Sequence, residues 1–542
     1  MKKLNLTLFA IVLAFSCCQI KAQALMPEVQ WSYNYPVPEG SINFCDDYST
    51  DLQITAAYGS ETENGLVSLD PEGNLNFIHI EEGASSVYYG PMLNIGDETY
   101  VIQTDNALNQ IKLNFYVNAS GELSTSYTIP IPANYNQSET IASSFRSDAS
   151  HQYITLTIKT FDTADSKWKT LIARIVVNTL GDTATHEFTS IMVGSFATIP
   201  VDMEIDAVGN VYVWGYFNKN AGGTNHDNFL TKYNAAGLFQ YTKSFASYAG
   251  RDDLATEIVI DQPGNIYGIS QSDANVAPYA DQIAVFKIKA SNGKMVWIKR
   301  LGAIGVSESD FNQGWDAAGN SFGDGLAITG SIPNATGGRD SKIWRLNAAG
   351  AVLWNKTINI DPSAGSIEEG RAICFNESTG DVMVAGFVYH TIFYGHYNTS
   401  TGVAAYPATL YTGIENGFVI DDKMIMTSAL TGDDWLLFPS ENTGGGCCRT
   451  SIVAYRDVFM KENKITSPIA ITIYPNPAVN EIHLNGLNAE AVVLIYNLNG
   501  QLMLTAGDPE NTIDISLLKP GAYIMQIISG IEIQTQSFIK SF

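Results

Sequence analysis

Short apolar runs rich in Val, Ile, Tyr, Phe and Trp recur along most of this chain, each bounded by Gly, Asn, Asp or Pro. Runs of this length with such punctuation predict strands joined by tight turns. The turns repeat. Asp206-Ala-Val-Gly209-Asn210-Val-Tyr212 is followed by Asp261-Gln-Pro-Gly264-Asn265-Ile-Tyr267 and by Asp316-Ala-Ala-Gly319-Asn320, with a looser copy at Asn376-Glu-Ser-Thr-Gly380-Asp381. The intervals are 55, 55 and 60 residues. Between them lies a second repeated element: Lys232 leading to Gly237, Lys287 to Gly293 and Arg345 to Gly350, each entering a further strand such as those of Trp297 and Trp354.

An Asp or Asn opening such a turn accepts a hydrogen bond from a backbone N–H two residues on, and the Gly supplies the positive φ that closes a hairpin. Each period therefore holds two hairpins, or four short strands, which is the unit of a β-propeller blade. Residues 30–460 give room for seven or eight such units. The earlier copies, at Asp70, Asn118 and Asn178, keep the turn and lose most of the rest.

Composition narrows the class. Only 16% of the 542 residues are charged and 45% are hydrophobic, with 46 Gly and 19 Pro, as in a globular, turn-rich protein. A formal charge of −25 repels phosphates and anionic membrane surfaces, which argues against a nucleic-acid partner.

The N-terminus reads Met1-Lys2-Lys3, an apolar run from Leu4 to Cys18, then Ala22-Gln23-Ala24, the layout of a secretory signal peptide. Cleavage after Ala24 leaves Leu25 as the first mature residue. Acylation at Cys17 or Cys18 is the alternative, disfavoured because Ala14-Phe15-Ser16 makes a poor lipobox. No later run of 18 or more apolar residues predicts a transmembrane helix after signal removal. The expected organisation is 1–24 signal peptide, 25–460 propeller, 461–470 polar linker and 471–542 a small all-β unit of about seven strands, an Ig-like β-sandwich.

That last unit carries Tyr474-Pro475-Asn476-Pro477, then Ile495-Tyr496-Asn497 with Gly500, then Leu518 with Gly521 and Tyr523, and finally Lys540. In this order and spacing the motifs resemble the C-terminal sorting domain of type IX secretion substrates, with Asn497 where Asp is common. The resemblance implies Sec export, passage across the outer membrane by the type IX machinery, and a product attached to the cell surface or released. The repeats between residues 200 and 390, including Gly337-Gly338-Arg339-Asp340, are similar to the seven-bladed β-propeller repeat family of exported bacterial proteins. The fold class expected is all-β: a seven- or eight-bladed β-propeller followed by the sandwich.

Candidate chemistry is sparse. The seven histidines are scattered, and neither His-Glu-x-x-His nor Gly-x-Ser-x-Gly occurs. No catalytic set is predicted. Asp252 and Asp253, Glu308 and Asp310, and Glu368 and Glu369 precede successive repeats, so they would stand at one height around a propeller axis. Such a ring suits a cation such as Ca2+ or the hydroxyls of a sugar. Capping of the turns between blades explains the same residues more economically.

Asp227, Asp281 and Asp340, five or six residues ahead of Lys232, Lys287 and Arg345, read as a repeating intra-blade hydrogen-bond or ion-pair network. Most of Trp214, Trp297, Trp344 and Trp354 read as blade packing. Four cysteines follow the signal: Cys45, Cys374, Cys447 and Cys448. A bridge from Cys45 to the vicinal pair Cys447-Cys448 would staple first blade to last. The vicinal pair, with Ser291-Asn-Gly293-Lys-Met-Val-Trp297, also weakly resembles quinoprotein dehydrogenases, eight-bladed enzymes that repeat such a motif in most blades. The reading favoured is a surface-delivered propeller that binds a glycan or protein and needs no cofactor. The alternative is a propeller enzyme acting on polysaccharide or with a quinone.

Overall fold

A computed structural model describes residues 28–541 apart from connecting stretches, the longest being 45–53, 274–280, 303–312, 411–416, 419–424, 443–448 and 458–471. The expected signal peptide and the linker at 461–470 lie outside the described residues, as do Cys45, Cys447 and Cys448. The chain divides into two compact units, 1–460 and 461–542.

The described part of the first unit is built of antiparallel sheets, seven of them formed by four consecutive strands each, in simple up-and-down order. They are numbered here in chain order: sheet I (41–82), II (87–130), III (135–191), IV (197–245), V (253–301), VI (313–358) and VII (368–410). Sheet VIII joins strands between 417 and 457 to the N-terminal strand Glu28–Pro38, which pairs with Arg449–Asp457. The first strand of each of sheets I to VI packs against the first strand of the next, and that of sheet VII against Ile425–Ser428 of sheet VIII. This is the layout of propeller blades side by side around an axis, inner strands first.

The repeated turn residues explain the hairpins. Asp206 accepts from the backbone N–H groups of Val208 and Asn210, from Asn210 Nδ2 and from the Tyr212 hydroxyl at 2.9 Å. Asp261 repeats the box with Asn265 and Tyr267, and also takes the Gly325 N–H of sheet VI. One carboxylate thereby closes a hairpin, and in the second case ties it to the next sheet.

The third copy falls elsewhere. Asp316 lies within strand Gln313–Gly319, and the turn residue is Asn320, whose N–H bonds to Gly325 C=O as Asp206 N–H does to Asn210 C=O. The Gly319-Asn320 match is therefore offset by four residues from the structural repeat.

The second repeated element is a latch between sheets, not within them. Lys232 Nζ and the Tyr241 hydroxyl of sheet IV both donate to Ala290 C=O of sheet V. Lys287 Nζ and Trp297 Nε1 of sheet V both donate to Ala348 C=O of sheet VI. Arg345 Nε reaches Thr399 Oγ1 and Trp354 Nε1 reaches Thr399 C=O, in sheet VII.

The expected pairing of these cations with Asp227 and Asp340 is replaced by other partners. Asp227 pairs with Lys219, and Asp340 accepts from Asn334 and Asn359. The side chain of Asp281 lies outside the described residues. Trp214 is fully buried, its Nε1 on Ile269 C=O, and it fills the space a Cβ would need at Gly268.

The described residues of the second unit form seven strands in two sheets, of three and four strands. Ile482, Leu484, Val493, Ile495, Ile513, Met525 and Phe538, drawn from both sheets, share one core. Among the described residues, no helix is long and apolar enough to cross a membrane.

Candidate functional site

The innermost strands carry a β-bulge at an equivalent place in successive sheets: between Pro200 and Asp202, Ala255 and Glu257, Gly314 and Asp316, and Gly370 and Ala372. The extra residue turns the following side chain out of the strict alternation of the strand. In sheets IV, V and VI that side chain is acidic.

Asp202 accepts the N–H of Met203 at 2.7 Å with one oxygen and the N–H of Ile258, on the inner strand of sheet V, at 2.9 Å with the other. Asp316 repeats this with Ala317 at 2.9 Å and Ile373 of sheet VII at 2.7 Å. Glu257, one methylene longer, hydrogen-bonds Asp202 itself. Glu204, two residues past Asp202, adds a fourth carboxyl.

Burial raises all four, and mutual repulsion adds to it at Glu204, Glu257 and Asp316. Glu204 is pushed up to about 8 by burial and then by Asp202. Glu257 rises well above the carboxylate range, through burial first and then Asp202 and Asp316. Asp202 and Asp316 are raised chiefly by burial, against the hydrogen bonds that favour their charged forms. Burial and the neighbouring acids thus favour the protonated form of Glu257, whose hydrogen bond with Asp202 keeps the two carboxyls together.

All four retain some accessible surface while enclosed by inner strands. Among the described residues, no group of three or more His, Cys, Asp or Glu is arranged to hold a metal ion.

The acids singled out in the sequence lie elsewhere. Asp253 opens the inner strand of sheet V and accepts the Ser247 N–H at 2.8 Å and the Ser272 hydroxyl; burial pushes it up to about 7. Glu368 opens that of sheet VII and accepts the N–H groups of Ile360 and Asp361 at 2.7 and 2.6 Å. Both cap the turn that enters their own sheet, with sheet VI between them.

Asp252 accepts from His226, N–H at 2.8 Å and Nδ1 at 3.1 Å. Glu369 lies between Arg339 at 3.2 Å and Arg371 at 2.5 Å. Glu308 and Asp310 lie outside the described residues. Cys374 is half-buried on strand Glu368–Phe375.

Sequence reading missed Asp202, Glu204 and Glu257, and placed Asp316 in a turn. A signal existed: each bulge acid stands four residues before its turn residue, Asp202 before Asp206, Glu257 before Asp261 and Asp316 before Asn320.

In the C-terminal unit the motif residues form a seam. Asn476 Nδ2 donates to Ser537 C=O at 3.2 Å and its Oδ1 accepts from Ile539 N–H at 3.0 Å, fastening the exposed Tyr474-Pro475-Asn476-Pro477 opening to the final strand. Tyr523 stacks on Phe538 and donates to Lys519 C=O at 2.8 Å. Lys540 is buried with Nζ on Ser541 C=O, Tyr496 is half-buried, and Gly521 begins the strand of Tyr523. Gly500 lies outside the described residues.

Residues 472–541 match the family described as a secretion system C-terminal sorting domain. No protein of curated function matches the chain. Among solved structures, the Dos1 propeller is similar over 80% of this chain and 96% of its own, at 10% identity and a TM-score of 0.46. The WD40 domain of SCAP from fission yeast is similar over 79% and 97%, at 10% identity and 0.44. PorZ, a surface component of the type-IX secretion system of Porphyromonas gingivalis, is similar over 93% and 100%, at 10% identity and 0.20. At these scores the propeller assignment comes from the strand order of the chain itself.

Proposed function

With its C-terminal unit a type IX secretion sorting domain, we propose that the protein is exported to the cell surface and works there as a binding module for a glycan or protein. The single observation that carries export is the match over residues 472–541, supported by the seam that Asn476 makes with the last strand.

The eight sheets read as eight blades, the N-terminal strand supplying the outermost strand of the last, and the C-terminal unit reads as an Ig-like sandwich. Binding is favoured over catalysis by how the acids are used. Asp202 and Asp316 each spend both oxygens on backbone N–H groups of two adjacent inner strands, which commits them to joining sheets. The rival reading, a polysaccharide-cleaving enzyme, draws on the Asp202–Glu257 pair, since two adjoining carboxyls, with burial favouring the protonated form of Glu257, are the kind of pair from which a general acid and its partner are drawn.

Deletion of residues 471–542 is expected to hold the chain in the periplasm, read by immunolabelling of intact cells. Undiminished surface labelling of the truncated chain refutes the export reading. Incubating the exported protein with a glycan panel, with calcium as a separate arm because Glu308 and Asp310 complete the acid set, tests binding. Retention without cleavage is expected, and release of shorter saccharides favours the enzyme.

A further inference from the structure

The latch that ties sheet IV to V, V to VI and VI to VII is altered at the boundary of sheets III and IV, and a cleft lies there. Aligning the sheets on their inner-strand bulges places Ala142 with Asp202, and hence Arg146 with the turn residue Asp206. Across the same registers Arg174 corresponds to the latch residue Lys232, and Glu187 to its aromatic partner Tyr241. In sheets IV, V and VI the aromatic position holds Tyr241, Trp297 and Trp354, each donating to the next sheet. In sheet III it holds a carboxylate that is 72% exposed, and the turn carboxylate has become a second guanidinium.

Both arginines reach the same hairpin of sheet IV. Arg146 Nη2 donates to Ala235 C=O at 2.7 Å and its guanidinium lies 3.8 Å over the Tyr153 ring. Arg174 Nη2 donates to Ala236 C=O at 2.8 Å. The approach depends on two glycines at positive φ: a Cβ at Gly209 would press on the Arg146 stem, and one at Gly237 would collide with the Arg174 guanidinium. At this boundary there is a shallow cleft, open to solvent, with Arg146 and Arg174 in its wall and Ser144, Thr155 and Asn234 beside them.

We propose that this cleft binds a carboxylate-bearing sugar, a uronic acid residue of an extracellular polysaccharide, with Arg146 and Arg174 gripping the carboxylate. The guanidinium fork matches a carboxylate with paired N–H donors. Two guanidiniums converging in a chain of net charge −25 form a local positive spot that neutral or cationic ligands would not select. Beyond the cleft wall, the exposed Glu187 carboxylate lies 3.8 Å from Arg174 Nη1, so this guanidinium already attends one carboxylate. The hydroxyls of Ser144 and Thr155 and the Asn234 amide suit the hydroxyls of a sugar ring.

The proposal rests on the binding reading above and names a site and ligand class for it. It is tested on the purified full-length mature protein, so its failure leaves the export reading standing. Calorimetric titration with D-glucuronate is expected to show saturable binding that weakens with added salt, while D-glucose shows none. Arg146→Gln and Arg174→Gln are each expected to weaken binding at least about tenfold, because half the charge-assisted donors are lost. Glu187→Gln, which removes the internal competitor and leaves both latch bonds in place, is expected to tighten it several-fold. Lys287→Gln, at the corresponding position of sheet V, is expected to leave it unchanged. Absence of glucuronate binding, equal binding of glucose, preference for a peptide carboxylate over glucuronate, or unchanged affinity in Glu187→Gln and Arg146→Gln each overturns the proposal.

Discussion

Replacing Glu204 and Glu257 by Gln should remove most of a pH-dependent weakness built into the inner strands. In the folded chain burial holds Glu204 at about 8, against an ordinary glutamate value near 4.5 in the unfolded chain. The folded state therefore keeps a proton that the unfolded state releases. The stabilising contribution is complete below about pH 4.5 and is lost as pH rises through about 8. One retained proton corresponds to about 1.4 kcal/mol per pH unit, so between pH 5 and 7 Glu204 alone accounts for up to about 3 kcal/mol. Glu257, raised by burial and by Asp202 and Asp316, adds to this in the same direction.

At an unfolding entropy of about 2 cal/mol/K per residue, 3 kcal/mol in a first unit of this size corresponds to about 3 °C in Tm. Gln reproduces the shape and donor of a protonated Glu, so Glu204→Gln/Glu257→Gln should match the parent near pH 5 and exceed it by at least 3 °C at pH 8. The net charge of −25 also destabilises the fold as pH rises, but nearly equally in both proteins, so the difference between the two curves isolates the cluster. Melts from pH 4.5 to 8.5 followed by circular dichroism provide the assay. Parallel curves would refute the reasoning.

Two further outcomes follow from the repeated contacts. Asp261→Ala strips four donors, including the buried Tyr267 hydroxyl and the Gly325 N–H of the next sheet, and should cost about 3 kcal/mol or more in urea unfolding; a loss below 1 kcal/mol contradicts the box. Lys287→Met and Trp297→Phe each remove one donor from Ala348 C=O, so the double variant should cost at least about 0.5 kcal/mol more than the sum of the singles, and simple additivity in a double-mutant cycle contradicts the shared latch.

The strand-and-turn repeats, the all-β class and the sorting motif were legible because each writes a local pattern. Asp206, Gly209 and Asn210 must lie close in sequence to close a hairpin, and Tyr474 to Pro477 form one continuous opening. The latch was legible as recurrence but not as geometry: the spacing from Asp227 to Lys232 suggested a partner in the same blade, whereas the lysine stem reaches Ala290 in the next sheet. The axial acids were hidden by the bulge. One extra residue at Val201, Thr256 or Trp315 shifts the phase of alternation, so the acid that follows no longer stands where a period of two would put it. Asp316 shows this directly, because Gly319-Asn320 imitates a turn motif while the carboxyl belongs to the preceding strand.

The pairing of Glu28–Pro38 with Arg449–Asp457 sets a schedule for assembly. A chain threaded across a membrane from its N-terminus delivers one side of that sheet more than four hundred residues before the other. Contacts so distant in sequence form late, because loop closure must come before their reward. The first strand therefore waits without its partner until nearly the whole first unit has arrived. Completion of sheet VIII thus waits on the last strand of the first unit, and the seven sheets before it can form without it.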